Sequence, residues 1–234
     1  MSEIYDNIIR ELTKPSERDK QRKVGPSELG DLCERCLAEK LLGVHEEEKT
    51  HPLAPMIGTA FHLYLENTIG LEGYLKETKV TVGTIEGYGS IRGTADGFDI
   101  ETGHVVDYKV LSKKKIKAFS SATFFNEDKE PEFYSDSMTE GQLKKYYYQM
   151  MLYGLGMENT GYNVHHCSLV LFPRDCTVES VMSASHELCF KYNREAALAV
   201  LERANEIFKW ANENQDNLGE LDSHAGCYYC TFKR

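Results

Sequence analysis

The chain has 234 residues, 41% hydrophobic and 27% charged, and its 27 Lys plus Arg against 37 Asp plus Glu give a formal charge of −10. At roughly 100–200 residues per domain that length makes one substantial domain, and the composition excludes disorder and collagen-like repeats. No apolar run approaches the roughly 18–20 residues that span a bilayer. The charged N-terminal segment shows no secretory signal, so a cytoplasmic setting without a membrane partner is expected.

The acidic balance repels polyanions overall, so nucleic acid would have to be held through a local basic patch or through bound cations.

Residues 1–24 are polar and charged and read as an N-terminal arm; residues 25–234 form a single domain. Gly25-Pro26-Ser27 breaks the chain, and Ser27 is placed to cap a helix through Cys33 and Cys36 to Leu42, ended by Gly43. Residues 44–53 form a charged, His-rich loop. Ile57, Phe61, Leu65 and Ile69 then recur at helical spacing. Segments 74–82, 87–93, 94–100 and 104–111 are rich in β-branched and aromatic residues and predict an antiparallel meander. Residues 112–137 carry the basic run Lys113-Lys114-Lys115 and Lys117 and show no strong regular pattern, as functional or mobile loops do. A helix over 139–156, strands over 163–172 and around 177–182, and a long amphipathic helix over 185–215 follow. This order predicts a mixed α/β domain, with a central mixed sheet flanked by helices.

Of the seven cysteines, Cys167, Cys176 and Cys189 stand alone in apolar surroundings and read as small hydrophobes. Cys33/Cys36 and Cys227/Cys230 form two C-x-x-C pairs with metal-ligand spacing. The odd count and the lack of a secretion signal argue against a disulfide framework. Pairs from opposite ends of the chain would tie the termini together around zinc or an iron–sulphur cluster.

The chemistry-bearing residues lie between these pairs. Asp107 and Lys109, in HVVDYKV, share one face of a strand. A tight turn at Glu101-Thr102-Gly103 can bring Asp96, in GTADGFDI, beside Asp107. Two carboxylates at close range are costly unless a cation neutralises them, and magnesium suits that oxygen set. Such an ion activates a water for in-line attack on phosphorus, and Lys109 orients or deprotonates that water or stabilises developing charge. His62 and Glu66 stand four apart on one helical face, and an imidazole ligand would favour manganese alongside magnesium. Gln149 and Tyr153 repeat that spacing, where an amide and a phenol can bond phosphates or stack on bases. Lys144 and Lys145, one turn earlier, would extend a phosphate track. Each pattern alone also fits a plainer role: a solvated D-x-K pair, a surface His–Glu pair, an aromatic core helix.

Taken in order, PSELGDLCERC, G-x-x-x-H-x-x-x-E at 58–66, GTAD at 93–96, DYK at 107–109, Q-x-x-x-Y at 149–153 and the C-terminal cysteines resemble the RecB-like branch of the PD-(D/E)xK nuclease superfamily. The likeness is greatest to the small iron–sulphur exonucleases associated with CRISPR adaptation and to their phage versions. It implies a restriction-endonuclease-like core and metal-dependent DNA cleavage, usually exonucleolytic on single strands or ends. His62, Asp96, Asp107 and the backbone carbonyl of Tyr108 would be ligands to magnesium or manganese, and Lys109 the catalytic lysine. Gln149 and Tyr153 would position DNA and support the site, with Glu66 beside it. Lys113, Lys114, Lys144 and Lys145 would frame the DNA path. Cys33, Cys36, Cys227 and Cys230 would hold a 4Fe–4S cluster.

Two features depart from the family pattern. Asp107 stands where many relatives have Glu. The cysteines divide two and two instead of one and three, which keeps zinc open. A different class of function, a non-catalytic DNA-end-binding or recombination-complex subunit on the same scaffold, is favoured by the net charge and the thin basic patch.

Overall fold

The computed structural model describes residues 3–12, 23–45, 53–125 and 131–232. Four helices precede the sheet: α1 (Glu3–Leu12), α2 (Pro26–Leu29), α3 (Glu34–Leu42) and α4 (Leu53–Thr68). Strands β1 (Tyr74–Ile85), β2 (Gly89–Asp99) and β3 (His104–Leu111) form an antiparallel meander, in which the segments expected separately at 87–93 and 94–100 are one continuous strand. Helix α5 (Lys113–Ala122), the hairpin β4 (Thr123–Phe125) and β5 (Pro131–Phe133), and α6 (Ser137–Asn159) follow. Strand β6 (His166–Pro173), the short α7 (Val181–Ala184), β7 (His186–Lys191), α8 (Arg194–Glu213) and α9 (Tyr228–Phe232) complete the chain. The main sheet has five strands in the order β1-β2-β3-β6-β7. Only β3 and β6 run parallel, as a crossover through α6 requires.

Helix α6 buries Leu143, Met150, Met151 and Leu155 against sheet residues such as Val80, Phe98, Val105 and Leu169. Along α8, Ala197, Val200, Leu201, Ala204, Ile207 and Ala211 recur three or four apart, and this stripe packs on α6 and α3. Helix α4 lies over β3, with Phe61 and Phe172 ring centroids 5.1 Å apart. Among the described residues no helix is long and apolar enough to cross a membrane.

Several expected boundaries move. Gly25, not Ser27, caps α2: Pro26 presets the first-turn φ, and Glu28 takes the Gly25 N–H at 2.9 Å. The helix expected to run on to Leu42 breaks after Leu29, and Cys33 caps α3 separately. At this break Gly30 lies directly on α6, where a Cβ would come within 2.5 Å of the Lys145 carbonyl oxygen. The supposedly irregular 112–137 segment holds α5, which is N-capped by Ser112, and the hairpin. Residues 178–184 are helical, not extended, and 186–191 are a strand where a helix is expected, because Leu188 and Phe190 alternate inward there. Helix α8 therefore starts at Arg194. Parts of the N-terminal arm (13–22), of the His-rich loop (46–52) and of the 112–137 segment (126–130) lie outside the described residues.

Candidate functional site

The β2–β3 ladder pairs Asp99 with His104, Phe98 with Val105 and Gly97 with Val106, and ends there. The next pair in register is Asp96 and Asp107. Beyond Val106 the strands part, and the polar groups of the Tyr108 backbone are taken up by side chains. Its N–H donates to Asp96 Oδ2 at 2.8 Å, and its carbonyl accepts from His62 Nε2 at 3.1 Å. His62 Nδ1 lies 3.3 Å from Asp96 Oδ1. Helix α4 thus delivers an imidazole to the Asp96 carboxylate and to a peptide edge that has left the ladder.

Asp107 is 2% exposed and Lys109 Nζ stands 2.5 Å from its Oδ2. That oxygen is buried and lacks a hydrogen bond of good geometry. The other, Oδ1, accepts from Gln149 Nε2 at 3.0 Å, and Gln149 in turn reaches the Tyr153 hydroxyl at 3.5 Å. Gln149 and Tyr153 are both buried. They face Asp107 from α6 rather than an open cleft. Burial pushes the Asp107 carboxyl up to about 6, with Lys109 opposing. Burial would lower Lys109, but Asp107 and Asp96 override it and hold the ammonium above its ordinary value. The hydrogen bond with Asp96 raises the His62 imidazole against its burial.

One member of this group escapes sequence reasoning. Glu77 lies on β1 opposite Asp96, between the flanking pairs Lys76–Gly97 and Thr78–Ala95. Its carboxylate is 3.9 Å from His62 Nδ1, and ligand atoms of His62, Glu77 and Asp96 lie within 4.8 Å of one another. Its φ is +46°, a left-handed value that disfavours any side chain. No motif spacing marks it; only the backbone does.

Other expected residues stand apart. The carboxylate of Glu66 is not in that group, and its backbone carbonyl accepts from Lys76. Lys144 pairs with Glu140 at 2.5 Å, and Lys145 pairs with Asp31 at 3.0 Å, tying α6 to the α2–α3 junction. Lys113 and Lys114 are exposed at the start of α5, immediately after β3.

Beside the α2–α3 junction the four cysteines meet. Cys33 Sγ is 3.5 Å from Cys230 Sγ, and Cys36 Sγ is 3.4 Å from Cys227 Sγ. Asp31 Oδ1 accepts the Cys33 N–H at 3.1 Å and so fixes the start of α3. Thiols so close cannot all ionise without a cation. Hydrogen bonding with Cys36 draws Cys33 down to about 5, while the same contact pushes Cys36 far up.

No family model and no curated relative matches the sequence. Solved structures do. An alkaline exonuclease from Laribacter hongkongensis, LHK-Exo, is 12% identical, with a TM-score of 0.52 over 90% of this chain and 96% of that one. An inferred exonuclease from Eubacterium rectale is 14% identical, with a TM-score of 0.52 over 94% of each chain. The protein has the fold of these exonucleases. The RecB-like core expected from the ordered motifs is consistent with that likeness.

Proposed function

We propose that the protein is a metal-dependent DNA exonuclease of the PD-(D/E)xK type, hydrolysing phosphodiester bonds at single-stranded or free DNA ends. One observation carries this reading: a His62–Asp96 contact and an Asp107–Lys109 pair occupy adjacent register positions where the β2–β3 ladder opens, on a fold shared with exonucleases. The donor set fits a hard divalent ion. Asp107 Oδ2 is a buried carboxylate oxygen without a proper hydrogen bond, and oxygen donors with one imidazole suit magnesium or manganese. His62, Asp96, Asp107 and the Tyr108 carbonyl would hold the ion, with Glu77 alongside. When bound, the ion supplies an activated water and offsets charge on the leaving oxygen.

The chain's own residues do the rest. Gln149 fixes the Asp107 carboxylate through Oδ1. Lys109, paired with Asp107, would orient or deprotonate the attacking water or stabilise charge on a phosphoryl oxygen. Exposed Lys113 and Lys114 bring positive charge to the end of β3, where a DNA backbone would approach. The four cysteines form a second metal centre whose role is structural, joining the two ends of the domain.

Asp107→Ala tests the reaction. With end-labelled single-stranded DNA and magnesium or manganese, the variant should give no product above an EDTA blank while its circular dichroism stays that of the wild type. Cleavage at the wild-type rate would remove the proposal. Wild-type binding without any metal-dependent product would instead favour the non-catalytic DNA-end-binding subunit. Cutting of circular single strands would make it an endonuclease.

A further inference from the structure

The family resemblance leads to a 4Fe–4S cluster at the four cysteines, and the sulphur geometry does not fit one. The Sγ atoms of Cys33 and Cys230, Cys36 and Cys227, and Cys36 and Cys230 are 3.5, 3.4 and 3.7 Å apart. All four sulphurs lie within 4.8 Å of one another. A tetrahedral ion with metal–sulphur bonds of about 2.3 Å holds its four sulphurs roughly 3.8 Å apart. In a cubane each thiolate binds a different iron, so the cluster's own atoms stand between the cysteines and keep them out of contact. The contacts are not disulfides either: an S–S bond is about 2.05 Å, and all four residues are free thiols.

A second group at the centre has no place in the nuclease chemistry. His45, with a side chain only 5% exposed, lies 2.7 Å through Nδ1 from Glu39 Oε2. Its Nε2 is buried without a hydrogen-bond partner. A ring nitrogen of His45, a Glu39 oxygen and Cys36 Sγ all fall within 4.8 Å of one another. The ring stands edge-on to Tyr229 of α9, with centroids 5.0 Å apart. Polar groups packed behind metal ligands orient them and adjust their charge. Four thiolates on one divalent ion leave two negative charges in a mostly buried place, and the polar His45 ring lies beside Cys36 there.

We infer that Cys33, Cys36, Cys227 and Cys230 hold a single tetrahedral ion of the zinc type instead of an iron–sulphur cluster, and that the His45–Glu39 pair supports it at Cys36. The inference rests on the metal-centre reading of the cysteines and is independent of the nuclease reading.

The test uses the full chain, grown with both iron and zinc and purified without oxygen. Elemental analysis should find about one zinc per chain and no acid-labile sulphide, with no absorption band near roughly 400 nm. Cobalt(II) exchanged into the site should show the visible bands of a tetrahedral thiolate complex. A brown protein with about four irons and matching sulphide would overturn the inference while leaving the metal centre standing. A protein with neither metal would overturn both. For His45→Ala, zinc should still bind but lose affinity roughly 10–100-fold in competition with a chelator. Unchanged affinity would remove His45 from the centre. Asp107→Ala should keep its zinc, which separates this outcome from any failure of the nuclease reading.

Discussion

Replacing Glu77 separates what the fold wants from what the site wants. Its φ of +46° is the only left-handed value among the described non-glycine residues. A side chain there costs roughly 1–2 kcal/mol. Glycine removes that cost but adds back about 0.5–1 kcal/mol of unfolded-chain freedom. Glu77→Gly should therefore be between neutral and about 1.5 kcal/mol more stable, which for a domain of this size is a Tm rise of up to roughly 3–6 °C. The site should lose by the same change. The carboxylate removed lies 3.9 Å from His62 Nδ1 and opposite Asp96. If it acts on the ion or on its water at the strength of one charge-assisted hydrogen bond, about 1.5–3 kcal/mol, manganese affinity falls roughly 10- to 150-fold. Glu77→Ala is the control: it keeps the Cβ and the strain but loses the carboxylate, so affinity falls with no gain in Tm. Calorimetry in EDTA reads the first quantity and manganese titration by electron paramagnetic resonance the second. A Glu77→Gly protein that melts several degrees lower, or that binds manganese as the wild type does, refutes the link between the strained backbone and the ion.

Three further outcomes follow from the same contacts. Gln149→Leu removes the only side-chain donor described on Asp107 Oδ1; manganese affinity and cleavage should fall roughly 10-fold or more while the Kd for DNA in EDTA stays put, and a loss confined to DNA binding would contradict the buried supporting role. Asp107 carries a folded value of about 6 against 3.8 unfolded. Its contribution is therefore complete below about pH 4 and is lost as pH rises through about 6, so wild-type stability in EDTA should decline relative to Asp107→Asn by up to about 3 kcal/mol between those limits. Parallel stability curves for the two proteins would count against it. Burial would raise the Asp31 carboxyl, but Lys145 holds it below its ordinary value, so this tie weakens as pH falls through that depressed value. Asp31→Ala should cost about 1–3 kcal/mol and speed extraction of the cysteine-bound metal by a chelator; an unchanged extraction rate would show that the N–H bond to Cys33 does not matter.

Much of this arrangement could be read from the residues. The meander was visible because Val80, Val82, Phe98 and Val105 fall in short β-rich runs separated by glycines, and the turn before His104 sets Asp96 and Asp107 in register. The cysteine pairs were visible by spacing. What stayed hidden has physical causes. In α5 the apolar stripe is only Ile116, Phe119 and Ala122, set among lysines, and the sole clear signal was Ser112, whose hydroxyl caps the helix at Lys115 N. Strand β7 is six residues long and runs almost directly into α8, so its period of two merged with the helical pattern that follows. Lys144 and Lys145 pair with acids one turn back and in a distant loop, and no spacing in the sequence reveals those partners. Glu77 and His45 carry no spacing signal, since each acts through the place where the fold puts it.

The opening of the β2–β3 ladder explains why these residues serve fold and site at once. A buried peptide edge that leaves a sheet must find other partners, because an unpaired N–H or C=O out of water costs about as much as a lost hydrogen bond. At Tyr108 those partners are Asp96 and His62. Asp96 therefore stabilises the metal-free protein through the Tyr108 N–H, whereas Asp107 is a buried carboxylate that burial works against. The two acids differ as probes for that reason. An inactive Asp96 variant can reflect a loosened β3 edge as well as a lost ligand. An inactive Asp107→Ala protein that keeps its fold has lost the carboxylate and its ties to Lys109 and Gln149 without loosening the Tyr108 peptide, and this makes Asp107 the residue on which the nuclease proposal is best judged.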